Sequence, residues 1–189
     1  MSEPWRERLL YGWAQTLLFF GASRRALPVL QEVVALNPAR HDAWNLLGYL
    51  HAQNGELSQA IAAFDRALAG EPDDAALAFN AGFILQRAGE HARAMTLMER
   101  VIAHDPKFDR AWYGLGLSLA HDGRYEEAAL KFREAARLQP LNPYAGYHLA
   151  AMLHRLGRRE EVLAEYERVK GFDPKISALM RREFEIRDD

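Results

Sequence analysis

The chain has 189 residues, of which 49 % are hydrophobic and 26 % are charged, a composition typical of globular rather than disordered proteins. Its 24 basic and 26 acidic side chains give a formal net charge of -2, which excludes a bulk electrostatic attraction to nucleic acid. It contains no cysteine, which excludes disulfides, thiolate metal sites and cysteine nucleophiles. The 20 arginines and 4 lysines indicate a GC-rich, bacterial genome.

The first predicted element is the apolar stretch from Leu9 to Ala22, which follows two arginines and resembles an export signal. Its apolar run is broken by Gly12, Gln15 and Thr16, and it is shorter than the roughly 20 residues that a membrane span needs. We therefore expect neither a cleaved signal nor membrane insertion, and we expect a cytoplasmic protein.

Five prolines and five glycines recur along the chain at intervals of 34 residues. They are Pro38, Pro72, Pro106, Pro140 and Pro174, and Gly21, Gly55, Gly89, Gly123 and Gly157. This spacing predicts five gapless repeats within a single domain, 1–189. The repeats are 7–40, 41–74, 75–108, 109–142 and 143–176. The apolar stretch near the start is then the first helix of the first repeat.

Each repeat is predicted to be a hairpin of two helices. In the second repeat Trp44, Leu47 and His51 recur at three- and four-residue steps, which is the spacing of one helical stripe. The following glycine permits the left-handed conformation that ends a helix, and the later proline stops the second helix. Residues 177–186 form one more amphipathic segment, which we expect to be a capping helix. The chain is therefore predicted to be all-α.

The first helix carries more apolar surface than a terminal helix needs. At about 100° per residue its apolar side chains spread over roughly 200°, twice an ordinary stripe. Because large exposed apolar patches usually mark an interface, we predict that Trp5, Leu9 and Phe20 contact a second copy of the chain or another partner. The alternative is a poorly capped end over which Trp5 folds back. Pro28 lies several residues into the next predicted helix, which must begin late or kink.

The repeats resemble the tetratricopeptide repeat. The matching residues are Trp44, Leu47, Gly48, Ala60, Phe64 and Pro72 in the second repeat, and Trp112, Leu115, Gly116, Leu119, Ala128, Phe132 and Pro140 in the fourth. The pattern is broken at His51, where an aromatic is usual, at Ala78 and Gly146, where tryptophan is usual, and at Val162, where alanine is usual. The resemblance covers about nine-tenths of the chain. It implies a right-handed superhelical α-solenoid whose first helices line a concave groove for peptides or protein partners.

The resemblance also assigns groove positions on the inner face of each first helix. The predicted partner-binding residues are Tyr11, Phe19, Tyr49, Phe79, Phe83, Arg87, Arg110, Tyr113, His121, Tyr144, Tyr147, His154 and Arg155. One of these positions is commonly aromatic in the family whether or not a ligand is known. Tyrosine and arginine are nevertheless frequent anchors of interfaces. Because arginine outnumbers acidic residues at these positions, we expect a partner segment with apolar anchors and net negative charge.

No combination of nucleophile, acid or base and orienting partner is evident in the sequence, so we expect no enzyme activity and no cofactor. His121 and His154 occupy nearby positions on adjacent first helices, but two histidines alone make a poor metal site. The predicted function is a non-enzymatic adaptor or assembly factor that binds a protein segment and no nucleic acid. The alternative is a secretion-type chaperone that holds an apolar client segment. A clamp for a terminal carboxylate is disfavoured, because Tyr11 and Gln15 stand where such clamps use lysine and asparagine.

Overall fold

The structure is a computed structural model that describes residues 4–186. Within this range the chain forms eleven helices joined by short turns, so the prediction of an all-α fold is confirmed. The helices group into two compact units. Unit 1 ends at Glu90 and unit 2 begins at His91, so the division falls inside the third predicted repeat.

Unit 1 contains two helical hairpins and one further helix. Its helices are α1 (Pro4–Phe19), α2 (Ser23–Leu36), α3 (His41–Gln53), α4 (Leu57–Gly70) and α5 (Ala75–Arg87). α1 packs on α2 and α3 packs on α4, while α2 and α4 each also pack on the helix that follows them. The core includes Leu30, Val33 and Leu47, all of which are buried.

Unit 2 begins with one helix, continues with two hairpins and ends with a terminal helix. Its helices are α6 (His91–His104), α7 (Asp109–His121), α8 (Tyr125–Leu138), α9 (Pro143–Arg155), α10 (Arg159–Lys170) and α11 (Pro174–Glu183). Each helix packs on the next, and α11 also packs on α9. Phe132, Val101 and Val169 are fully buried and belong to the core of this unit.

The periodic glycines form the turns inside the hairpins. Gly55 has a φ of +79° and Gly123 a φ of +75°, a left-handed conformation that residues with a Cβ adopt only at a cost. The amide that follows each glycine donates back to a carbonyl near the end of the helix, Glu56 to His51 and Arg124 to Leu119, both at 2.9 Å. These bonds satisfy carbonyls that the helix end would otherwise leave unpaired.

The periodic prolines have a second role besides ending a helix. The indole Nε1 of Trp44 donates to the carbonyl of Pro38 at 2.9 Å, and the indole of Trp112 donates to the carbonyl of Pro106 at the same distance. The tryptophan of one repeat therefore fixes the turn that leads into it.

The small residues of the repeat are required by close helix packing. A Cβ added at Gly48 would lie 2.8 Å from the ring of Phe64, and one at Gly116 would lie 2.8 Å from the ring of Phe132. Both glycines are on the first helix of a hairpin and both phenylalanines are on the second. The missing side chain thus makes room for the large ring.

The fifth repeat compensates for its missing tryptophan. The space beside Gly146 is filled by the side chain of Arg168, because a Cβ at Gly146 would lie 2.6 Å from Arg168 Nη2. Arg168 Nη1 donates to the carbonyl of Pro140 at 2.6 Å, which is the acceptor that corresponds to Pro38 and Pro106. An arginine on the second helix therefore replaces the indole on the first.

Two elements can be compared in detail with the sequence-based expectations. α2 does not begin late, because it runs from Ser23 with Pro28 inside it, and the alternative of a kink at Pro28 stays a prediction. The terminal helix α11 starts at Pro174 and ends at Glu183, so it begins and ends three residues earlier than residues 177–186. The carboxylate of Asp173 caps its start by accepting from the amides of Lys175 and Ile176. The expectation of a single domain over 1–189 stays a prediction.

Candidate partner-binding surfaces

The predicted groove residues of unit 1 differ widely in exposure. Phe19, Tyr49, Phe83 and Arg87 are exposed, whereas Tyr11 and Phe79 are partly buried. The exposed aromatic rings are available for contact with another molecule. The partly buried rings already contribute to the packing of the unit.

Tyr11 belongs to an ionic network that the sequence did not reveal. The carboxylate of Glu7 is almost completely buried and pairs with Arg40, with 2.5 Å between Glu7 Oε1 and Arg40 Nε. The guanidinium of Arg40 lies 4.6 Å from the centre of the Tyr11 ring. Burial, together with hydrogen bonding to Asp42, raises the pKa of Tyr11 to about 12. Tyr11 therefore helps to join α1 to α3, and only part of it remains for a ligand.

In unit 2 the first helices of two hairpins present a continuous aromatic surface, here called the α7/α9 surface. It consists of Tyr113 on α7 and Tyr144, Tyr147 and His148 on α9. The ring centre of His148 lies 5.5 Å from that of Tyr113 and 5.1 Å from that of Tyr147. Burial raises the pKa of Tyr113, and the proximity of Tyr144 adds to this effect. Burial lowers the pKa of His148, which favours its neutral form. His148 joins the predicted tyrosines although the sequence did not single it out.

The end of the terminal helix rests against this surface. Tyr147 Oη donates to Glu183 Oε2 at 2.5 Å, and the Tyr147 ring lies 5.8 Å from that of Phe184. His154 also contacts Phe184, with ring centres 5.4 Å apart. The hydrogen bond to Glu183, with burial, raises the pKa of Tyr147 to about 12. Two predicted groove residues, Tyr147 and His154, therefore already hold a segment of the chain itself.

Aromatic rings orient the arginines of unit 2. The guanidinium of Arg110 lies 4.9 Å from the ring centre of Phe108, and that of Arg155 lies 5.2 Å from the ring centre of Tyr125. Both arginines are exposed. Stacking of this kind limits the rotamers of a long side chain while its charge stays in water.

The histidines that invited a metal interpretation have other contacts. His121 stacks on His91, with ring centres 3.8 Å apart, and His154 lies against Phe184. Burial and the neighbouring His121 lower the pKa of His91. Among residues 4–186 no three His, Asp or Glu side chains are arranged to hold a metal ion.

The residues predicted for self-association lie on the solvent side of α1 or directly after it. Trp5, Leu9 and Phe20 are all exposed, and Trp13 is exposed beside them. None of the helices in the described range combines the length and apolar character of a membrane span.

Hairpins that place small residues opposite large rings, with turns built on periodic glycines, define a helical-repeat protein of the tetratricopeptide type. The chain belongs to the family described as Cytochrome c-type biogenesis protein H TPR domain, whose model matches residues 29–145. The resemblance inferred from the sequence is thereby confirmed. Proteins of this class present extended surfaces for protein partners.

Solved structures share the fold. MamA (residues 41 to the end) from Desulfovibrio magneticus RS-1 is similar with a TM-score of 0.78 and 24 % identity, over 94 % of this chain and 96 % of that one. YrrB, described as a TPR protein with an unusual peptide-binding site, has a TM-score of 0.83 and 18 % identity, over 96 % of this chain and 92 % of that one. These likenesses confirm the α-solenoid fold class. No curated protein sequence matches the chain.

Proposed function

We propose that the protein is a non-enzymatic adaptor or assembly factor that binds a partner segment on the α7/α9 surface. The segment carries an apolar or aromatic anchor next to a carboxylate. This proposal refines the class of protein-interaction module to which tetratricopeptide repeats belong.

The contact of Tyr147 with the chain's own terminal segment carries the proposal. At this site one tyrosine receives a carboxylate and the aromatic ring that follows it in sequence, Glu183 and Phe184. Tyr113 occupies the same position one repeat earlier. It is partly buried, and within residues 4–186 no group accepts a hydrogen bond from its hydroxyl. Because the Tyr113 hydroxyl is reached by solvent, it can donate to a partner carboxylate as Tyr147 donates to Glu183.

The charges around the surface support an acidic partner. Arg110 and Arg155 are exposed and stacked on aromatic rings, which keeps each guanidinium in a restricted position. Positive charges at the edge of a binding surface mainly raise the association rate of an acidic segment. The peptide-binding site ascribed to YrrB supports a peptide ligand for this fold.

The test uses a short synthetic peptide with the core Glu-Phe-Glu-Ile, which copies residues 183–186. Titration calorimetry compares it with peptides that carry Gln or Lys in place of both Glu residues. We expect the acidic peptide to bind most tightly. Tyr113→Phe, which removes only the hydroxyl, should weaken its binding about 10-fold, and Tyr113→Ala about 30-fold or more.

Leu130→Ala is the matched control, because Leu130 is an exposed apolar residue on α8 outside the α7/α9 surface. It should leave the affinity unchanged. Arg110→Glu and Arg155→Glu should slow association and flatten its dependence on salt. Tighter binding of the Lys peptide would show that the charge of the partner has been assigned with the wrong sign. Equal affinity for all three peptides, with binding that depends only on the Phe residue, would instead favour the alternative function of a chaperone that holds an apolar client segment.

A further inference from the structure

The outer face of α1 exposes large apolar side chains along its whole length. Trp5, Leu9 and Trp13 are 59 %, 66 % and 53 % exposed, and Phe19 and Phe20 at its end are 85 % and 77 % exposed. Surface apolar residues are ordinary when scattered singly, but a contiguous patch of this kind marks an interface. In area it is comparable to one side of a protein interface, since five such side chains expose roughly 700 Å² and a stable pair buries about 800 Å² per partner.

We propose that this face pairs with α1 of a second copy of the chain. The two helices run antiparallel about a two-fold axis that passes between Gly12 and Trp13. A two-fold contact is self-complementary, so each residue on one copy meets its pairing position on the other.

The order of large and small residues along α1 fits this register. At 100° per residue the outward positions fall within an arc of about 100°; they are Trp5, Leu9, Gly12, Trp13, Thr16 and Phe20. An axis between residues 12 and 13 sets Trp5 opposite Phe20, Leu9 opposite Thr16, and Gly12 opposite Trp13. Two of these three pairs join a large side chain to a small one.

Gly12 is the centre of this arrangement. It lies in the interior of α1 and is exposed, and a Cβ added there would meet no atom within 4 Å. Its missing side chain leaves a notch on the outer face, and Trp13 of the second copy fills it. A parallel pair would instead set Trp13 against Trp13 and Gly12 against Gly12.

The charges favour the antiparallel direction as well. Arg6 and Arg8 lie near the start of α1, while the last turn of α1 has no basic residue. Antiparallel pairing places these arginines near the carbonyl end of the other α1, where positive charge is stabilised, and near its exposed Phe19 ring. It separates Arg6 from Arg6 of the other copy by about 20 Å along the helix. The acidic Glu7 points inward and is paired with Arg40.

Such a dimer would carry two α7/α9 surfaces. A partner with two binding segments would then be held by both, which increases its apparent affinity without any new contact. The dimer itself depends only on α1, so it can be tested whether or not the proposed ligand is correct.

Sedimentation velocity of the whole chain over a range of concentrations tests the association. We expect a dimer in the micromolar range. Trp13→Ala should raise the dissociation constant about 30-fold, and Leu9→Glu with Trp13→Glu should give a monomer. Because these side chains are exposed, the variants should keep their helical circular dichroism. Leu141→Glu changes an exposed leucine of unit 2 and should leave the dimer intact.

Cysteine cross-linking tests the register, since the chain has no cysteine of its own. Gly12→Cys should form an oxidised dimer by itself, because position 12 lies at the axis. Leu9→Cys and Thr16→Cys should form one when the two proteins are mixed and neither should do so alone. Trp5→Cys alone should remain reduced.

Three results would overturn the proposal. One is a chain that stays monomeric at high micromolar concentration. Another is cross-linking of Trp5→Cys to itself, which indicates a parallel pair. The third is a monomer that sediments with anionic phosphatidylserine vesicles through Trp13, which would make the outer face of α1 a lipid-binding surface.

Discussion

The arginine that replaces a tryptophan in the fifth repeat gives the sharpest test of the fold. Arg168 donates from Nη1 to the carbonyl of Pro140 at 2.6 Å and from Nε to Glu165 Oε1 at 2.9 Å. The side chain of Glu165 is only 13 % exposed. Arg168→Ala therefore removes the donor to a turn carbonyl and also leaves a mostly buried carboxylate without its partner.

The expected loss of stability follows from these two contacts. A charge-assisted hydrogen bond contributes about 1.5–3 kcal/mol, and an unsatisfied buried group costs about 1–3 kcal/mol. Because Arg168 itself is about one-third exposed, water replaces part of what is lost. We expect Arg168→Ala to lower the free energy of unfolding by about 2 kcal/mol, measured by urea denaturation, and the Tm by about 4–8 °C.

Arg137→Ala is a matched control on the preceding second helix. Arg137 pairs with Glu134 at the same spacing, with 2.9 Å between Arg137 Nε and Glu134 Oε2, but its side chain is 66 % exposed. An exposed pair of this kind contributes less than about 1 kcal/mol, so the control should lose much less stability. Arg168→Lys should fall between, because one ammonium cannot replace the fork of a guanidinium. Equal losses in Arg168→Ala and Arg137→Ala would refute the bridging role of Arg168.

Three further predictions concern unit 2. Gly146→Trp restores the residue usual for the repeat but should lower the free energy of unfolding by about 1–3 kcal/mol through overpacking against Arg168. In the double variant with Arg168→Ala, the loss measured by urea denaturation should be smaller than the sum of the two single losses, and strict additivity would argue against a shared space. Glu185 has a left-handed φ of +51° at the end of α11, where the next amide, that of Ile186, donates to the Arg181 carbonyl at 3.0 Å. Because glycine adopts this conformation without steric cost, Glu185→Gly should raise the free energy of unfolding by about 0.5–1 kcal/mol, and a loss of stability would contradict this. Burial lowers the pKa of His148 in the folded state, so its contribution to the free energy of unfolding is complete above its unfolded pKa of about 6.5 and is lost as pH falls below that value. The free energy of unfolding of the wild type should therefore fall from pH 7 to pH 5, and the same pH dependence in His148→Phe would exclude His148 as the cause.

The parts of the fold that the sequence predicted depend on interactions between near neighbours. The glycine turn is closed by a bond between residues five apart, such as Glu56 and His51, and the indole of Trp44 reaches a carbonyl only six residues before it. Contacts of this range recur in every repeat that has the same residues at the same positions. Spacing was therefore sufficient to predict the glycine turns, whereas the bond from the indole of Trp44 to the carbonyl of Pro38 was found only in the structure.

Interactions between neighbouring hairpins were not predictable in the same way. The pair of Glu7 and Arg40 joins residues 33 apart, and neither position stands out in a single repeat. His121 was expected near His154 but stacks on His91, because α6 packs on α7 and begins with that residue. In each case the contact depends on which side chain fills a space left by another helix. The repeat pattern predicts where a residue lies on its helix but not which residue of another helix it contacts.

The proposed surface was predicted in part. The pattern placed Tyr113, Tyr144 and Tyr147 on the first helices, but it did not predict His148 between them or the acidic and aromatic residues that Tyr147 already holds. Those residues follow the last repeat, where the periodicity no longer assigns positions. That the predicted groove residues bind a partner stays a prediction.

The hydrogen bond between an indole and a proline carbonyl also provides an intrinsic fluorescence signal for unfolding. Trp112 is the one tryptophan of residues 91–189, and Trp44 shares unit 1 with Trp5 and Trp13. Loss of the bond to Pro106 or Pro38 transfers an indole from a hydrogen-bonded, partly covered place into water, which shifts its fluorescence to longer wavelength. A variant that keeps Trp112 alone therefore reports the melting of unit 2, and one that keeps Trp44 alone reports that of unit 1, without any added label.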